Sequence, residues 1–123
     1  MISKANSGSN TGFGTQLVIV NNNIALEFGD GSTFLGTGAG LQGTVNLNDG
    51  NWHHLAMVAK RSLNNIKLFV DGNEDANVTN TSIGSLNLNT TANFLLGCER
   101  TYVAYFNGSI DEVRIWNRAL CQW

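Results

Sequence analysis

Residues 66–78 read IKLFVDGNEDANV. The Asp71-Gly72 pair in the middle suits a two-residue type I′ turn, whose two central positions both need positive φ. A strand ahead of that turn puts Ile66, Leu68 and Val70 on one face and Lys67 and Phe69 on the other. That is the pattern of a half-buried antiparallel strand. A hairpin of this kind in a chain without helical periodicity argues for an all-β fold.

The segments on either side agree. A second Asp-Gly pair, Asp49-Gly50, precedes NWHHLAMVAK, residues 51–60. There Leu55 and Met57 share one face, while His54, Ala56 and Val58 share the other. Apolar residues on both faces predict a central strand. GTQLVIV (14–20), NIALEFG (23–29), HHLAMVA (53–59), NIKLFV (65–70), NFLLG (93–97) and SIDEVRIW (109–116) are the strand candidates, each bounded by Gly, Asn or Asp. Pro is absent, Gly occurs 14 times, and Asn is commoner still, as in the NNN run at 21–23. Residues that tolerate positive φ at such short intervals build tight connections between short strands. A single helical turn beginning at Arg118 is the one helical expectation. Within residues 77–93 the spaced Ile83, Leu86 and Leu88 predict a loop that lies over a sheet and tucks apolar side chains beneath it. The glycosylation triplets at Asn77, Asn80, Asn89 and Asn107 are what an Asn-rich and Thr-rich sequence produces by chance.

Composition excludes several partners. The 123 residues are 42% hydrophobic and 13% charged, with a net charge of -2, the size and balance of one domain with a buried core. The seven basic residues are scattered apart from Lys60-Arg61, so neither nucleic acid nor an anionic membrane finds a cationic cluster. The apolar runs fall far short of the roughly 20 residues that span a bilayer. The opening MISKANSGSN does not resemble a signal peptide. Cys98 and Cys121 lack metal-ligand spacing and are too few for a disulfide framework.

Four ordered segments, NWHHLAMV, IKLFVDG, FLLGCE and FNGSIDEVRIWNRAL, resemble in order and spacing the laminin G-like domains of the concanavalin A type. The last resembles the signature G-x-I-D-E-V-R-I-[YW]-N-R-A-L of the bacterial branch. This resemblance spans roughly residues 1–120 and implies a two-sheet antiparallel jelly-roll sandwich over residues 1–123. It also implies a secreted or cell-surface setting. Such domains usually open with a strand ahead of the Ser3-Lys4 position and continue past the R-A-L element. The chain therefore resembles a shortened member or a fragment. A missing opening strand leaves an open sheet edge, which predicts a homodimer through sheet edges or strand exchange.

Asp111 and Glu112 raise the question of catalysis. Adjacent strand residues point to opposite faces, so this pair cannot converge on one glycosidic bond. The glucanases that share the jelly roll carry acids as E-x-D-x-x-E, a spacing absent here. Glu74-Asp75 fails for the same reason, and no nucleophile elbow is present. The chain is read as a non-enzyme. On a strand Asp111 shares a face with Val113 and Ile115 and needs a partner for its charge. The resemblance implies a structural Ca2+ at Asp111, held with backbone carbonyls. The other reading is a carboxylate that accepts N–H bonds from a neighbouring turn. His53 and His54 are adjacent on a strand and so diverge, and the resemblance implies that they are structural, packing beside Trp52 and bonding to the backbone.

A binding role would rest on aromatics, because sugar rings stack their C–H faces on them. Tyr102 and Tyr105 in ERTYVAYFNG (99–108), with Phe69, are the candidates. Trp52 and Trp116 match positions of the resembled family and are assigned to the core or its edge. The resemblance implies a non-catalytic carbohydrate-binding module. A protein-interaction or adhesion module is the alternative, and a remnant glycoside hydrolase a distant third.

Overall fold

The computed structural model describes residues 1–6, 13–37, 40–79, 82–98 and 104–120. Among the described residues eight strands run in chain order: β1 (Ile2–Asn6), β2 (Phe13–Val20), β3 (Asn23–Asp30), β4 (Phe34–Leu35), β5 (Leu55–Lys60), β6 (Asn65–Val70), β7 (Asn73–Val78) and β8 (Leu95–Leu96). They form a five-stranded sheet in the order β4-β3-β2-β1-β8 and a three-stranded sheet in the order β5-β6-β7. Every pairing is antiparallel. The fold is all-β, as the turn pattern predicts, and its two antiparallel sheets are those the resemblance implies.

Two-residue turns set the registers. Asn21 and Asn22, with φ of 50° and 67°, join β2 to β3 so that Val20 pairs with Asn23. Asp71 and Gly72, with φ of 51° and 81°, join β6 to β7 so that Val70 pairs with Asn73. Positive φ at both central positions defines the primed turn, whose twist matches that of the strands.

The core lies between the sheets. β3 contributes Ile24, Leu26 and Phe28, and β6 contributes Ile66, Leu68 and Val70, all buried. Connections supply Leu41, Ile83 and Leu86, with Leu88 packed against them. The polar stretch after β7 therefore does tuck its apolar residues under the sandwich. Arg61 holds it there: its guanidinium donates to the carbonyls of Ile83, Gly84 and Leu86. Asn64, in the left-handed region at φ 49°, accepts the N–H of Gly84 at 2.8 Å and closes the same contact.

Three expectations need correction. Residues 109–116 form no strand. They lie exposed without a ladder partner among the described residues, and an extended segment cannot persist as sheet without one. β5 is an edge strand, not a central one; β6 occupies the centre because it alone is flanked by a hairpin partner on each side. Among the described residues, 118–120 show no helical turn. A 3₁₀ turn is found instead at Arg61–Leu63, directly after β5.

Candidate functional site

The loop that leads into β5 is fastened to the β6–β7 turn by a set of short polar contacts. Asp49 accepts the backbone N–H of Asn51 on Oδ1 and the Asn51 side-chain amide on Oδ2, both at 2.9 Å. Asp71 accepts the backbone N–H of His54 at 2.8 Å, while its own N–H donates to the His54 carbonyl at 2.8 Å. Between these carboxylates sits the His53 ring, with Nδ1 2.8 Å from Asp71 Oδ2 and Nε2 3.0 Å from Asp49 Oδ1.

Electrostatics follow from that geometry. Hydrogen bonding to Asp71, and next to Asp49, holds the His53 ring above its ordinary value. The Asn51 side chain and backbone amides, followed by His53, pull Asp49 down to about 2. Asp71 is lowered first by His53 and then by the His54 amide. The charged imidazolium between two carboxylates is the favoured state, since both ring nitrogens must donate.

This arrangement limits the chemistry. Both imidazole nitrogens are engaged by carboxylates, so neither is free to take a proton from a nucleophile. Asp49 and Asp71 do not form a glycosidase pair either, because the space a glycosidic bond would need is filled by the ring.

Trp52 stands on this fastened loop, directly between Asn51 and His53, with 71% of its surface exposed. The assignment of Trp52 to the core or its edge is therefore overturned. Its sequence neighbours Asn51 and His53 both bond Asp49, and the indole between them is left outside. Motif matching missed this residue, since nothing in NWHH shows which side of the loop the indole takes. The Asx-type turn at Asp49 was the one available signal.

Tyr105 is also exposed, at 70%, and its backbone bridges Cys98. The neighbouring Phe106 donates its N–H to the Gly97 carbonyl at 2.7 Å.

All but the last residue of this chain matches a known family. The laminin G model described as "Concanavalin A-like lectin/glucanases superfamily" matches residues 1–122. The chain belongs to the concanavalin A-like lectin/glucanase superfamily. No curated protein and no solved structure matches it.

Other residues singled out in this superfamily member fall as follows. Phe69 is only 8% exposed, so it is withdrawn from the ligand-facing set; the face of β6 away from the core is covered at that point. Tyr102 lies outside the described residues. Asp111 is exposed, and its Oδ1 accepts the N–H of Glu112 at 2.8 Å. Among the described residues no three His, Cys, Asp or Glu side chains converge as metal ligands. Trp116, like Trp52, is exposed rather than packed in the core.

Proposed function

We propose that this chain is a non-catalytic carbohydrate-recognition module of the laminin G-like type. The observation that carries the reading is Trp52: a largely exposed indole on a loop whose polar groups are fixed by Asp49, Asn51, His53 and Asp71. A rigid aromatic face stacks on the C–H face of a sugar with little further entropy to lose, and nearby amides and carboxylates bond the hydroxyls. Tyr105 supplies a second exposed ring. The engagement of both His53 nitrogens supports recognition over hydrolysis. A glycan array read with the intact chain and with Trp52→Ala tests the proposal. Binding that falls by about 1–3 kcal/mol in the variant, at unchanged melting temperature, is expected of an aromatic anchor. Glycan binding that is indifferent to Trp52 overturns the placement of the site, and silence across the array overturns the ligand class.

A protein-interaction or adhesion module is the second reading. It is favoured by the exposed Ile115 and Trp116, apolar side chains in a segment that no strand covers.

A further inference from the structure

We propose that residues 109–116 of one chain pair as an antiparallel strand with the open edge of β5 in a second copy, reciprocally, giving a closed two-fold dimer. This is independent of any carbohydrate site.

The acceptor is the edge of the three-stranded sheet. β5 pairs with β6 on one side only, and among the described residues nothing pairs with the other. Leu55, Met57 and Ala59 face the core, since their partners across the ladder are Val70, Leu68 and Ile66, all buried. Yet Met57 remains 36% exposed. A core-facing side chain open to water at a sheet edge marks the place where a further strand is missing. Residues 55–60 hold no Pro and no bulge, and their one charge, Lys60, stands at the end of the strand, so the middle of the edge lacks the devices that blunt one. The opposite edge, β7, is protected: its pairing is broken by a register shift, and it carries Glu74 and Asp75.

The donor is in the same chain. Among the described residues, 109–116 have no ladder partner, and Ile115 is 68% exposed. Glu112 is held at φ 51°, the left-handed region that a non-glycine residue seldom occupies, and pairing as a strand relieves it. Charge and face together select one register. With Glu112 beside Lys60, Val113 meets Ala59 and Ile115 meets Met57, so the apolar residues of the donor extend the core face while the ion pair lies on the other. The acidic β7 edge repels the same donor, which carries Asp111 and Glu112. Each chain offers one donor and one acceptor, which is the condition for an isologous contact that closes on itself.

Light scattering across the micromolar range should give the mass of a dimer. Ile115→Lys, at a position already exposed in the single chain, should weaken dimerisation by about tenfold or more without loss of the folded monomer. Glu112→Lys should do the same, and Lys60→Glu in that background should restore it. A mixture of Met57→Cys chains and Ile115→Cys chains should form a disulfide between them on oxidation, above the level seen with the unsubstituted chain. A monomeric mass that persists on concentration overturns the proposal. So does a dimer unaffected by Ile115→Lys. A monomer in which Met57→Cys and Ile115→Cys on one chain join internally shows that the segment covers its own β5, and also overturns it.

Discussion

Nδ1 of His53 lies 2.8 Å from Oδ2 of Asp71, and this contact ties the loop ahead of β5 to the turn between β6 and β7. Asp49 engages the other ring nitrogen, so the link depends on a doubly protonated imidazole.

Stability should therefore vary with pH on both sides of a plateau. The folded value of His53 is raised, so its contribution is complete below the ordinary imidazole value of 6.5 and is lost as pH climbs through the raised value. Asp49 and Asp71 are depressed, so theirs is complete above the ordinary carboxylate value of 3.8 and is lost as pH falls, down to about 2 for Asp49. Melting temperatures measured from acid to mildly alkaline pH should decline as pH rises beyond the ordinary imidazole value, and His53→Gln should flatten that decline. An alkaline limb identical in the variant would assign it to another group.

The stretch between β7 and β8 should behave as core despite its polar composition. Ile83 is fully buried, so Ile83→Ala should cost about 2–5 kcal/mol in chemical denaturation, as in a strand interior. Asn87→Ala, at an exposed position whose Oδ1 accepts the Asn89 N–H at 3.2 Å, should cost no more than about 1 kcal/mol.

Arg61 should matter more than an exposed arginine normally does. Its guanidinium serves three carbonyls at once, those of Ile83, Gly84 and Leu86. Arg61→Ala should cost about 1 kcal/mol or more, and Arg61→Lys should recover only part of it, since an ammonium is a point donor and not a planar fork. Hydrogen exchange at Ile83 to Leu86 should accelerate in both variants.

Gly14 should not tolerate a side chain. It pairs with Ala5 across β1 and β2 at φ 121°, and a Cβ there would lie 2.0 Å from the Lys4 carbonyl oxygen and 2.7 Å from the Ala5 Cα. Both atoms are backbone of a paired strand and cannot step aside cheaply. Gly14→Ala should fall at the upper end of the roughly 1–3 kcal/mol typical of overpacked sites. Gly50→Ala, at φ 82° but with open space around its Cβ, should show the smaller cost of backbone conformation alone.

What the sequence determined by itself was local. Asp71-Gly72 and the Asn run at 21–23 dictated two primed turns, because few other residues accept positive φ at both central positions, and turns of that kind impose antiparallel neighbours. The alternation of Ile66, Leu68 and Val70 likewise fixed which face of β6 is buried, since successive strand residues point oppositely. Tertiary structure decided the matters that depend on a neighbour. SIDEVRIW has the composition of a strand, yet a strand exists only where it meets an edge, and within one chain it reaches none among the described residues, although β5 keeps one side unpaired. Apolar residues on both faces of β5 suggested a central position, but sheet order is set by which strands the turns bring together, and β6 took the centre. Burial, too, is a property of the whole. Phe69 is hidden and Trp52 is bare because of what the rest of the chain covers, and no pattern within either segment carries that information.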